Sequence, residues 1–170
     1  MYGYSLLELL ITLAIIFLMA VLVVPSQKIF FEKNNQDTIR LQLLRAINLA
    51  RSEAMLRSDN IILCHSKDQT SCSGEWQEGY VILQQEKVIN AFTNKTNGKI
   101  FWRTFPVGQK NLEFLATGFS HAQNGTFWFC EKNSENPAWA ILISQSGRAR
   151  EVFPDKDNKI MDEKGKNLPC

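Results

Sequence analysis

Hydrophobic positions fall into two regimes along the chain. From Leu6 to Val24 every residue is apolar except Glu8 and Thr12. As a helix, those nineteen residues span about 28 Å, close to the roughly 30 Å of a bilayer's hydrocarbon core. A helix apolar on all faces is rarely the core helix of a soluble domain. The run is longer than the apolar region of a secretory signal, and no A-x-A cleavage site follows it. The pattern therefore predicts a retained transmembrane helix over residues 4–25. Beyond it, Leu43, Ile47, Ala50 and Ala54 recur at i, i+4, i+7 and i+11, one stripe of an amphipathic helix. No Gly or Pro interrupts Ser26 to Asp59, so the same helix is expected to continue to Arg57 and stop at Ser58-Asp59-Asn60, a segment at 26–58. Lys33, Arg40 and Arg51 lie almost on one line of the wheel. A solvated face is the economical reading of that line, and a DNA or partner contact the sharper one.

After residue 60 the period shortens. Ile61–His65, Tyr80–Gln84, Lys87–Phe92, Ile100–Arg103, Leu112–Leu115, Thr126–Cys130, Trp139–Ser144 and Arg148–Phe153 are short β-branched or aromatic runs bounded by Gly, Asn, Ser or Pro. They predict an α+β fold, with a β head at 59–154 whose antiparallel sheets pack on the second half of the long helix. Asp155–Asn167 is polar and mixed in charge, which reads as a loose stretch within a C-terminal tail at 155–170.

Composition narrows the function classes. The 170-residue chain is 45% hydrophobic with eleven Phe, enough for a real core. Its formal charge of +2 excludes a global nucleic-acid-binding field and leaves only a local patch. The two topology signals disagree. Lys28, Lys33, Arg40 and Arg45 follow the apolar run, which the positive-inside rule would place in the cytoplasm. Four cysteines suit an oxidising compartment, and they outweigh the flanking charges. Of three pairings, Cys64–Cys72 closes a short polar loop and leaves Cys130–Cys170 to tie the tail back, worth about 2–4 kcal/mol. A zinc site on Cys64, His65 and Cys72 is the rival, weakened by the lack of any C-x-x-C pair. His65 and His121 stand in no catalytic motif, so no enzyme activity, metal or cofactor is expected.

Glu8 lies two residues inside the apolar run. A carboxylate at that depth is costly and is kept by default for function, with a partner. The surrounding stretch, Gly3-Tyr4-Ser5-Leu6-Leu7-Glu8-Leu9-Leu10-Ile11-Thr12-Leu13-Ala14, closely resembles the class III signal of type IV pilins and pseudopilins. The basic residue usual before that Gly is missing in Met1-Tyr2. The resemblance implies a leader at 1–3, cut by prepilin peptidase between Gly3 and Tyr4, and N-methylation of Tyr4. It implies that Glu8 pairs with the N-terminal ammonium of a neighbouring subunit during assembly. Pro25 falls where pilins often carry a kinking proline. The implied fold is the pilin lollipop, anchored once in the inner membrane with its head in the periplasm, and extracellular once packed among major and minor pilins.

Near the C-terminus, Ser146-Gly147-Arg148-Ala149-Arg150 follows an apolar strand through Gln145-Ser146-Gly147, which reads as a hairpin turn. If Arg148 and Arg150 both lie in the next strand, they share a face about 6.6 Å apart, and each guanidinium suits a phosphate. The stretch looks like the G-R-x-R motif of the GspH/FimT branch of minor pilins, most like FimT, where it is implicated in DNA binding during natural transformation. The resemblance implies Gly147 for the turn and Arg148 and Arg150 for phosphate contact, with Lys156, Lys159, Lys164 and Lys166 extending the patch. Residues 147–170 hold six basic and five acidic side chains, so binding to double-stranded DNA is expected to be salt-sensitive. The alternative is a structural minor pilin or GspH-like pseudopilin for filament assembly or type II secretion, whose two arginines only protect a sheet edge.

Overall fold

A computed structural model describes residues 5–121, 123–162 and 166–170, and only the backbone of 21–33. Gly3, Tyr4 and Lys164 therefore lie outside the described residues. Helix α1 spans Leu6–Arg57. Among the described residues, no helix is long and apolar enough to cross a membrane. The expected span runs on into residues 21–25, whose side chains lie outside the description. Within the first compact unit, Met1–Thr38, every large apolar side chain from Leu6 to Met19 is exposed. So continuous an apolar surface needs a lipid or protein cover.

Among the described residues, the second unit, Ile39–Cys170, holds all the buried core residues. The helix ends where Ser58 turns left-handed at φ 52°, matching the expected stop. Among the described residues eight strands follow: β1 (Ile61–His65), β2 (Gly79–Gln84), β3 (Lys87–Thr93), β4 (Lys99–Phe105), β5 (Leu112–Phe114), β6 (Asn124–Cys130), β7 (Trp139–Ile143) and β8 (Ala149–Val152). They make two antiparallel sheets, ordered β3-β2-β1-β5 and β4-β6-β7-β8. The stripe foreseen at Leu43, Ile47, Ala50 and Ala54 is fully buried, extended by Ile39 and Ala46. It packs against Ile61, Leu63, Tyr80, Ile82, Phe114, Phe127, Phe129, Trp139 and Ile141 from both sheets. Each such side chain contributes about 1.5–3 kcal/mol by leaving water.

The charge line on α1 is corrected. Arg40 pairs with Glu151 on β8, and Arg51 donates from Nε to the Gly118 carbonyl at 2.9 Å. Neither arginine faces solvent as a free charge: Arg40 fastens the helix to β8 and Arg51 fastens it to the loop at Gly118 between β5 and β6, while the Lys33 side chain lies outside the described residues. The wheel gives a residue's direction, but not which neighbour lies there.

The tail is also corrected. Lys159 and Asp155 close one turn by backbone bonds, Met161 bridges Asn167, and Leu168 donates to Ile160 O at 2.9 Å. Ile160 and Leu168 are buried against Trp128, Cys130 and Ala140 on the outer face of the second sheet. The Trp128 indole donates to Pro169 O at 2.9 Å. Two apolar residues spaced eight apart, with the Met161–Asn167 bridge between them, hold the described part of this polar segment on the sheet.

Cys64 bonds to Cys72 and Cys130 to Cys170, the pairs expected from loop closure. Cys64 and Cys72 are thus spent on each other, which removes the zinc alternative. Inside the smaller loop, Asp68 accepts from the backbone of Thr70 and Ser71 and from the hydroxyls of Ser66, Ser71 and Ser73. The Ser71 hydroxyl leads the set that holds its carboxyl well below the usual carboxylate range.

Candidate nucleic-acid interface

The turn between β7 and β8 closes through Ser144 N–Arg148 O at 3.0 Å and Gly147 N–Ser144 O at 2.8 Å. Its loop, Gln145-Ser146-Gly147, ends on a left-handed glycine at φ 75°, a common three-residue hairpin. Gly147 is buried. A Cβ there would collide with the Gly118 carbonyl and come within 3.0 Å of Arg51 Nε, so the position needs glycine for space as well as for conformation.

Three supports fix this turn. Ser120 donates its backbone N–H to Gln145 O at 3.1 Å. Its hydroxyl bonds Ser144 O and Gln145 O, each at 3.2 Å. Arg51 holds Gly118 O directly beneath Gly147. Gly118, itself left-handed at φ 78°, and Ser120 were not singled out in the sequence, and Arg51 only as one member of the charge line on the helix. A Gly after Thr117 signals a turn, but nothing local signals its partner.

Arg148 and Arg150 are both exposed, and among the described residues neither side chain makes an ion pair or hydrogen bond. Arg148 differs from the strand expectation: β8 begins at Ala149, because Arg148 is spent closing the turn. Its bond to Ser144 continues the ladder one step beyond Ile143–Ala149. Ala149 packs into the core between helix and sheets. The intervening Glu151 points to the same side and meets Arg40. Arg150 therefore stands on the outer face, opposite Leu142. Lys156, Lys159 and Lys166 are exposed along the docked tail. Two interleaved acids are engaged by cations from elsewhere, Glu151 by Arg40 and Asp162 by Arg103 at 3.1 Å.

The histidines are accounted for by packing and polar contacts. His65 Nδ1 lies 3.1 Å from Ser73 O, with its ring edge-on to Trp76. His121 Nδ1 lies 3.7 Å from Glu113 on the surface.

Comparison with known proteins gives three findings. The family model for the type II transport protein GspH matches residues 41–147. The type IV minor pilin FimU of Pseudomonas aeruginosa superposes with a TM-score of 0.54 at 22% identity, covering 71% of this chain and 90% of that chain. The minor pseudopilin EpsH of the Vibrio cholerae type II secretion system superposes with a TM-score of 0.52 at 12% identity, covering 74% and 98% respectively. At such identities the likeness shows the fold. No curated protein matches by sequence.

Proposed function

Because the chain belongs to the GspH family of type II transport proteins, we propose that it is a minor pilin whose C-terminal arginines bind double-stranded DNA for uptake in natural transformation. The observation that carries this reading is the pair of exposed arginines, Arg148 and Arg150, left without an intramolecular partner among the described residues on a turn fixed from beneath. An immobile backbone lowers the cost of ordering each guanidinium on a phosphate. Arginine grips phosphate with two parallel N–H donors. Such contacts position the duplex without reading its sequence. Lys156, Lys159, Lys164 and Lys166 add diffuse positive charge along the tail.

The N-terminal part serves assembly. Prepilin peptidase cuts between Gly3 and Tyr4, and Tyr4 is N-methylated. The apolar helix holds the subunit in the inner membrane with its head in the periplasm, until neighbouring pilins cover Leu6–Met19. Glu8 then pairs with a neighbour's ammonium. The filament carries the arginines outside the cell.

The test uses the full chain in non-ionic detergent, disulfides intact, titrated with fluorescent duplexes of two unrelated sequences. Saturable binding is expected, equal for both duplexes and falling steeply between 50 and 200 mM salt, as in phosphate-dominated complexes generally. Arg148→Gln with Arg150→Gln is expected to weaken binding at least tenfold. Each lost contact should flatten the log Kd–log salt slope by about 0.9. Absence of saturable binding at low salt would leave the structural reading, a minor pilin or pseudopilin for filament assembly or type II secretion.

A further inference from the structure

The register of the second sheet places a third arginine in line with Arg150. Arg103 on β4 is opposite Thr126 on β6, Thr126 is opposite Leu142 on β7, and Leu142 is opposite Arg150 on β8. These four residues form one cross-strand row. Its face is the outer one: the Arg103 guanidinium lies over the Trp128 ring at 5.6 Å, and Leu142 and Val152 pack with the tail-covered cluster there. Three strand spacings separate the row's ends by about 14 Å. Thr126 and Leu142 between them are half-buried and uncharged, so nothing in the row repels a polyanion. The docked tail crosses the neighbouring row, Phe101–Trp128–Ala140–Val152.

Arg103 is not idle. Its guanidinium donates to Asp162 Oδ2 at 3.1 Å, while Asp162 Oδ1 accepts the Lys166 N–H at 2.9 Å. The Arg103 side chain remains 43% exposed in that pair, so a second anion can reach it. A carboxylate on a guanidinium occupies the position a phosphate would take.

Resting on the reading above, we infer that the DNA surface extends across the outer face of this sheet, with Arg103 as a further phosphate-binding residue and Asp162 as its intramolecular competitor. Duplex binding exchanges the Asp162 carboxylate for a backbone phosphate on Arg103, so that Arg103 and Arg150 grip the duplex from opposite edges of the sheet.

The test compares Arg103→Gln and Asp162→Asn in the detergent-solubilised full chain, titrated with the same fluorescent duplex. Both substitutions remove the same ion pair, and Asn keeps an oxygen for the Lys166 N–H. A purely structural role moves both variants in one direction, or neither. The expected outcome is opposite shifts: Arg103→Gln weakens binding threefold to tenfold, and Asp162→Asn tightens it by a similar factor. The log Kd–log salt slope should flatten by about 0.9 in the first variant. Arg103→Gln combined with Asp162→Asn should match Arg103→Gln alone. Equal or parallel shifts, with the parent chain still binding and Arg148→Gln still impairing it, overturn this inference and leave the arginine-turn reading standing. A parent chain that binds no duplex overturns both.

Discussion

Gly147 combines a left-handed backbone with a carbonyl packed where its Cβ would be. Gly147→Ala is therefore expected to destabilise the chain by about 1–3 kcal/mol, read as a lower urea midpoint in detergent. DNA binding should weaken as well, although both arginines remain, because the Ser120 and Arg51 supports hold only the native turn. A glycine before two arginines already marked this position in the sequence. Its steric partner, Gly118, lies twenty-nine residues earlier and had no local signature. The exposed state of Arg148 followed from its charge. Its place before the strand did not, because that depends on how the hairpin closes.

Strand β8 is an edge strand, fastened to α1 by Glu151 and Arg40. Their side chains are 29% and 12% exposed, so the pair sits between the weak surface regime and the strong buried one. Glu151→Gln leaves the Arg40 charge half-buried and is expected to cost about 1–3 kcal/mol in urea unfolding. Glu151→Leu with Arg40→Met should recover part of that loss. Equal midpoints for Glu151→Gln and the parent would show that the pair contributes nothing. At this scale the sequence was legible wherever a period was long. The helix end and all eight strands fall within two residues of their expected bounds. The solvated face expected of the charge line fails at Arg40 and Arg51, since a periodic pattern of charge looks the same whether it meets water, a carboxylate or a loop carbonyl.

The tail links distant parts of the head. Cys130 and Cys170 are separated by 40 positions, for which the chain-entropy estimate of cross-linking is about 4 kcal/mol. Cys130→Ser with Cys170→Ser should lower the melting temperature under non-reducing conditions. It should also speed hydrogen exchange of the Trp128 indole N–H, now bonded to Pro169 O. An unchanged melting temperature and exchange rate would mean that Ile160 and Leu168 hold the tail alone. The loose tail expected from composition was the largest misreading. The Cys130–Cys170 tie was expected, but the docking of the segment before it was not, because a polar average hides the contribution of Ile160 and Leu168.

What the residue order alone determined was local. It set the apolar N-terminal stretch, the amphipathic stripe that follows, the strand periods, the turn glycine and the exposed arginines, because each depends on neighbours within a few positions. What only the tertiary structure decided was which strands adjoin. That placed Arg51 beneath the turn, Glu151 on Arg40, and Arg103 in the same row as Arg150. The physical reason is sheet order: β4 and β8 close opposite edges of one sheet, and cross-strand register couples residues whose separation in the chain carries no periodic trace.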